Sequence, residues 1–238
     1  MLKVSRQPSG DPEIFHSLQG EGPNAGTPSV FLRLATCNLT CTWCDTKYTW
    51  DFGDLSNYDY DEEVMVLSEE DVRSRILAYD CPHLVITGGE PLIQQTALAP
   101  LATSLKERGF YCEVETNGTL TPIPEMVEGV SQWNVSPKLL NSGNQTTRRE
   151  APKALEMFRR LDTAYFKFVV VKPADVDEVD ALVERYAIPQ ERVMLMPEGV
   201  TARVIDERGK WVAQACEDRG YRFSTRLHIL LWGDDRGR

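Results

Sequence analysis

Three cysteines fall within eight positions, Cys37-Asn38-Leu39-Thr40-Cys41-Thr42-Trp43-Cys44, in the pattern C-x3-C-x2-C. Thiolates are the usual ligands of iron–sulfur clusters, and four irons normally take four of them. Only three occur at close spacing; Cys81, Cys112 and Cys216 are scattered. Three ligands would leave one iron of a [4Fe–4S] cluster open, much as a catalytic zinc keeps one position free. An open iron is a place for chemistry and not only for electron transfer. The plain alternatives are a zinc site or three buried free thiols. A zinc ribbon would show two paired motifs, and the chain has no second C-x2-C.

Further motifs stand where strand-like segments end. Thr87-Gly88-Gly89-Glu90-Pro91 carries two glycines, which let a ligand approach the backbone closely; alone, the pair is a common turn. Glu115-Thr116-Asn117-Gly118 contains an Asn-Gly turn signal, and its role is open at this point. Ser136-Pro137-Lys138 reads alone as a proline turn. Arg33 sits on a strand of apolar neighbours, where an arginine needs an anion, either a ligand or a core-lining salt bridge.

These groups must be held by a scaffold, and the chain alternates strand-like and helix-like segments. Strands are expected over residues 30–35 (VFLRLA), 83–87, 111–115, 132–135, 165–171 (YFKFVVV) and 193–196, with a last one over 227–232. Helices are expected over 69–79, 97–108, 154–161, 176–186 and 211–219. This βα alternation implies a parallel sheet with right-handed crossovers, with the site at the strand ends. Some crossovers are too short for full helices. The expectation is therefore an α/β fold, an incomplete TIM-like β/α barrel with about six parallel core strands, in a single domain over residues 1–238. Residues 51–63, acidic and rich in turn formers, and residues 141–150 read as loops.

The formal net charge of −10 argues against a binder of nucleic-acid backbones. No apolar run reaches the roughly 18 residues of a membrane helix. The opening MLKVSRQPSGDPE lacks the apolar core of a signal peptide, so a cytoplasmic protein is expected.

C-x3-C-x2-C after a first strand resembles the signature of radical S-adenosylmethionine (SAM) enzymes. The resemblance implies that SAM chelates the open iron and is cleaved by one electron to methionine and a 5′-deoxyadenosyl radical. The radical is carried by the cofactor, no side chain is singled out as catalytic, and the protein positions the cofactor. The resemblance also implies SAM contacts at Trp43, near the adenine, and at Cys44 and Asp45 through their backbone. Further contacts follow at Gly89 of the Gly-Gly-Glu-Pro element and at Ser136, Pro137 and Lys138. Met196, Pro197, Glu198 and Gly199 would reach the adenosyl part.

The segment Glu13-Ile14-Phe15-His16-Ser17-Leu18-Gln19-Gly20-Glu21-Gly22-Pro23 narrows the resemblance. With Cys-Asp-Thr after the cysteines, Glu-Thr-Asn-Gly, Phe-Lys-Phe-Val-Val and Arg-Leu-His near the C-terminus, it is similar to the 7-carboxy-7-deazaguanine synthases over nearly the whole chain. This implies a carbon–nitrogen lyase that contracts the ring of 6-carboxy-5,6,7,8-tetrahydropterin to 7-carboxy-7-deazaguanine. Hydrogen would leave C6 and later return, ammonia would be released, and SAM would be regenerated. The product would feed 7-deazapurine pathways such as queuosine. Leu18, Gln19 and Gly20 would read the pterin edge through backbone and amide groups. Arg33 would fork onto the substrate carboxylate. Thr87 would be a further substrate contact. Thr46 would help hold a Mg²⁺ ion beside that carboxylate. Glu21, Lys167 and His228 would support this site; the plain reading of His228 is a satisfied strand histidine. An electron donor such as flavodoxin or ferredoxin, and a homodimer, are further implications. The rivals are an activating enzyme for a glycyl-radical protein and a non-catalytic Fe–S or zinc module.

Overall fold

The computed structural model describes residues 1–237. Its strands are β1 (Leu2–Ser5), β2 (Ile14–Leu18), β3 (Pro28–Leu34), β4 (Val64–Leu67), β5 (His83–Gly88), β6 (Tyr111–Thr116), β7 (Gln132–Val135), β8 (Ala164–Val170), β9 (Val193–Pro197) and β10 (Arg222–Phe223). They form one sheet in the order β10-β9-β8-β7-β6-β5-β3-β1-β4, with β2 also paired to β3. From β3 through β5, β6, β7, β8 and β9 to β10 every pairing is parallel. β1, β2 and β4 pair antiparallel at one side. The sheet does not close: β10 and β4 are its two edges. This is the incomplete barrel expected from the βα alternation, with six main parallel strands and the two-residue β10 added.

Local chemistry explains most of these elements. β8, AYFKFVV, is β-branched and aromatic and is buried along nearly its whole length, as a strand covered on both faces should be. Glu69–Leu77 is helical behind a capping box, in which Ser68 and Asp71 satisfy each other's backbone N–H groups. Ala202–Arg219 starts at Thr201, whose side chain accepts from Val204 N, and stops at Gly220 in the left-handed conformation. The core packs Leu32, Leu84, Val114, Trp133, Phe166 and Leu195 from the strands against Leu98, Phe158, Val179 and Val212 from the covering helices.

Four expectations change. Residues 227–232 are a helix, Leu227–Trp232, and not a strand. A short apolar run does not distinguish the two by periodicity. Here the sheet edge is taken by β10, and only Ile229 of this segment is buried. The histidine within it, His228, is therefore not a strand histidine. Residues 141–150 contain a helical turn, Thr146–Arg149, and residues 51–63 end in another, Tyr60–Glu63, capped by Asp59. The helix expected over 211–219 begins nine residues earlier, at Ala202. β1, β2 and β4 have no counterpart among the expected strands, because each is short and gains its stability from pairing with β3 or with another N-terminal strand. No helix among the described residues is long and apolar enough to cross a membrane.

Candidate active site

The parallel strands deliver their C-terminal ends to one cavity. The loop after β3 brings Cys37, Cys41, Trp43, Cys44, Asp45, Thr46 and Trp50. The end of β5 brings Thr87, Gly88 and Gly89, and β6 brings Glu115 and Thr116. Ser136 and Lys138 follow β7; Lys167 and Val169 come from β8; Met196 and Glu198 come from β9 and its end. Leu18, Gln19, Gly20 and Glu21 cover one side, with Arg226 and His228 from the C-terminal segment beside them. Sixteen of the anticipated site residues line this cavity: Leu18, Gln19, Gly20, Arg33, Cys37, Cys41, Trp43, Cys44, Asp45, Thr46, Thr87, Gly89, Ser136, Lys138, Met196 and Glu198. Pro137, Pro197 and Gly199 do not line it. The carbonyl of Gly199 instead accepts from Arg226 Nη1 at 2.6 Å.

The glycines after β5 have a steric reason. A Cβ on Gly89 would lie 2.0 Å from the carbonyl oxygen of Thr36, and one on Gly88 (φ +126°) would lie 2.0 Å from that of Leu34. Both obstacles are backbone, so the loop can run against the cysteine loop only without side chains. Glu90 then ties the loops together. Its fully buried carboxylate accepts from Leu92 N (3.0 Å), Thr116 Oγ1 (2.8 Å) and Asn117 N (2.7 Å). Burial raises its pKa above the usual carboxylate value even so.

The three thiols fit an iron–sulfur cluster by their chemistry and surroundings. All three face the same cavity. Burial pushes Cys37 up to about 12 and raises Cys41 as well, and a bound metal centre would supply the positive charge that favours the thiolates. Every sulfur already has an N–H in reach: Leu39 N to Cys37 at 3.5 Å, Asn144 Nδ2 to Cys41 at 3.3 Å and Trp50 Nε1 to Cys44 at 3.3 Å. No group of three His, Cys, Asp or Glu among the described residues is placed to hold a single metal ion.

Beside the thiols lies a buried ionic floor. Lys167 Nζ, only 3% exposed, donates to Glu21 (2.5 Å) and Glu115 (2.9 Å). Burial alone would lower its pKa, but the two carboxylates outweigh that and raise it. Glu21 is pushed up by burial, yet Lys167 and Arg226 together hold it well below the usual carboxylate range. Glu115 comes out raised, because burial exceeds the pull of Lys167. Arg226 Nε donates to Glu21 at 3.1 Å and its Nη2 donates to Asp45. One guanidinium thus fastens the N-terminal segment, the cysteine loop and the strand-end segment at Gly199. His228 packs over Gly20 so closely that a Cβ there would stand 2.1 Å from Nδ1. Burial lowers the pKa of His228, which favours the neutral ring.

Two anticipated contacts take a different form. The Gln19 amide is turned into the protein: Nε2 donates to Glu113 and to Glu115 (3.3 Å), and Oε1 accepts from Glu21 N (3.2 Å). The Gln19 backbone is committed as well, its N–H to Thr27 O at 2.8 Å and its carbonyl to Gly26 N at 2.7 Å, and the Gly20 carbonyl accepts from Leu227 N at 2.9 Å. Arg33 Nε donates to the fully buried Glu13 at 2.7 Å, the core-lining salt bridge that was one of its two readings. Its terminal nitrogens have no acceptor among the described residues. Thr46 Oγ1 lies 3.6 Å from Cys44 Sγ, and Asp45 pairs with Arg226.

Glu115, Arg226 and Trp50 carry parts of the site that the sequence did not assign to it. For Glu115 a signal existed: Glu113 and Glu115 alternate along YCEVET, so both face the same side of β6, and a strand interior seldom presents two carboxylates without partners.

A partial β/α barrel with three thiols on the loop after its first parallel strand is the architecture of a radical SAM protein. In agreement, the family model described as the Radical SAM superfamily matches residues 33–159. A 7-carboxy-7-deazaguanine synthase of Pyrobaculum aerophilum is 42% identical over 95% of this chain and 96% of its own length. That of Halobacterium salinarum is 36% identical over 93% and 90%. The crystal structure of QueE from Escherichia coli superposes with a TM-score of 0.71 at 29% identity, covering 95% of this chain and 94% of that one. The chain therefore belongs to the 7-carboxy-7-deazaguanine synthase family and is a radical SAM enzyme, a class that works with a [4Fe–4S] cluster and SAM.

Proposed function

We propose that the enzyme converts 6-carboxy-5,6,7,8-tetrahydropterin to 7-carboxy-7-deazaguanine with release of ammonia, as part of 7-deazapurine biosynthesis. The observation that carries this is the junction of two chemistries in one cavity, which three thiols share with the ionic group of Glu21, Lys167 and Glu115 and with Arg33. The names of the relatives support the particular substrate and product.

Bound at Cys37, Cys41 and Cys44, the cluster with SAM supplies hydrogen-atom abstraction. The chain's own residues bind, orient and exclude water. Ser136, Lys138, Gly89 and Trp43 form the SAM side, where Lys138 Nζ donates to Ser136 Oγ at 2.8 Å and lies 5.6 Å over the Trp43 ring. The free edge of the Arg33 guanidinium suits a carboxylate, since Nε is already held by Glu13 and the plane is fixed. Glu115 has a raised pKa and offers an acceptor, or a proton, to the polar edge of a pterin. Backbone groups of Leu18 and Gly20 and the Thr87 side chain complete that pocket. Thr46, beside Cys44, is the residue to share a Mg²⁺ with the substrate carboxylate. A flavodoxin- or ferredoxin-like donor, a homodimer and a cytoplasmic location are carried as parts of the same reading.

The test is an anaerobic assay of reconstituted enzyme with reductant, SAM and the carboxytetrahydropterin, with and without Mg²⁺. Product mass and ammonia should appear together, SAM should not be consumed in proportion, and Thr46→Ala should weaken the Mg²⁺ response. A cluster-loaded enzyme that cleaves SAM but leaves this substrate intact would favour a protein-activating role instead.

A further inference from the structure

We propose that Asn144 and Trp50 set the reduction potential of the cluster by donating N–H···S hydrogen bonds to Cys41 and Cys44. The inference rests on the reading of the three thiols as cluster ligands.

The fold itself sets both donors against the sulfurs. Asn144 is 4% exposed and 103 positions from Cys41, so only the fold brings them together. Its amide orientation is decided locally. Oδ1 accepts from Thr40 N at 3.0 Å, which leaves Nδ2 facing Cys41 Sγ at 3.3 Å and Ser142 Oγ at 3.2 Å. A flipped amide would set two donors against each other at Thr40 and an oxygen against the sulfur. Trp50 sits after the turn Lys47–Thr49, and its backbone N donates to Lys47 O at 3.0 Å. Its indole N–H has Cys44 Sγ, at 3.3 Å, as its acceptor. Neither residue is needed to supply a ligand, yet each directs a donor at a sulfur, Asn144 from a buried position and Trp50 from a half-buried one.

An N–H dipole aimed at a thiolate stabilises negative charge there. One-electron reduction adds negative charge to the cluster and its sulfurs, so the donors favour the reduced form and raise the potential. Because their N–H groups are directed at the cluster sulfurs and not at a reacting atom, they are positioning groups that act through the cluster.

The test is an anaerobic, EPR-monitored redox titration of the full-length, cluster-loaded protein without substrate. Wild type is compared with Asn144→Ala, Asn144→Asp and Trp50→Phe. Loss of one bond should make reduction several-fold harder, up to about tenfold, and tenfold is 59 mV for a one-electron couple. Asn144→Asp keeps the acceptor for Thr40 N but points an oxygen at Cys41, so its potential should fall further than that of Asn144→Ala. Trp50→Phe removes the indole N–H while keeping an aromatic, though smaller, side chain. Water entering a looser site would raise the potential, the opposite sign. Potentials equal to wild type at equal iron content, or shifted upward, overturn the proposal. If the Asn144 variants take up no cluster, Trp50→Phe decides alone. A wild-type protein that binds no cluster would instead refute the underlying assignment of the thiols.

Discussion

Lys167→Met removes the ammonium that bridges Glu21 and Glu115 while keeping a side chain of similar length. Breaking a buried ion pair from one side costs about 3–5 kcal/mol when the other charge is left alone. Here the carboxylates are not alone. Glu21 keeps Arg226 at 3.1 Å, and Glu115 keeps Asn134 Nδ2 at 3.1 Å and Gln19 Nε2 at 3.3 Å. Each carboxylate side chain is also 18% exposed, so some water can respond. A loss of about 2–4 kcal/mol follows, which for a chain of this size is about 5–15 °C in melting temperature. The pH dependence gives a sharper criterion. Glu115 is already raised by burial, and Lys167 pulls it down; without Lys167 it must rise further. A carboxyl whose folded pKa exceeds its unfolded value costs stability above that folded pKa, and the cost disappears as pH falls through it. Glu21 has the opposite sign: its depressed pKa contributes stability above its unfolded value near 4.5, lost only at more acid pH. Between pH 8 and pH 5 the deficit of Lys167→Met relative to wild type should therefore shrink. Thermal melts across that range, at matched cluster content, measure it. A deficit below about 1 kcal/mol at pH 8, or one that grows on acidification, would refute the account of the ionic floor.

Gly89→Ala should prevent the Gly-Gly-Glu-Pro turn from packing on Thr36, with a loss above the ~1–3 kcal/mol of ordinary overpacking because the obstacle is backbone; thermal melting and iron content of the reconstituted protein check it. Gly20→Ala should displace His228 and lower the melting temperature, and the double change Gly20→Ala with His228→Ala should recover much of the loss; additive losses would contradict the contact. His228 has a folded pKa depressed below 6.5 by burial, so it contributes stability present above 6.5 and lost as pH falls toward the folded value. His228→Gln should then flatten the stability profile between pH 7 and 5, as read by urea denaturation at several pH values.

The interval C-x3-C-x2-C, together with the motifs at successive strand ends, was enough to bring the thiols, Gly89, Ser136 and Lys138 to one cavity. Spacing decides that within a βα unit: a residue just after a parallel strand must lie at the same end of the sheet as its counterparts. The parallel order β3-β5-β6-β7-β8-β9 follows from the βα alternation and not from strand composition alone, since β7 is only QWNV and β6 carries two glutamates. The segment 227–232 was not, because six apolar-rich residues carry no period, and neighbours already holding the sheet edge chose the helix.

Partner choice among buried charges lay beyond the sequence. The chain contains Arg33, Lys167, Glu13, Glu21, Glu113 and Glu115, but nothing in their order says that Arg33 takes Glu13, that Lys167 bridges Glu21 and Glu115, or that Gln19 turns its amide inward. Nor does it say that Asn144 and Trp50 end at sulfur. Such pairings depend on directions and distances of a few ångströms between residues up to 146 positions apart. Desolvation makes each unpaired charge costly, so it is the closed fold that selects which groups must meet.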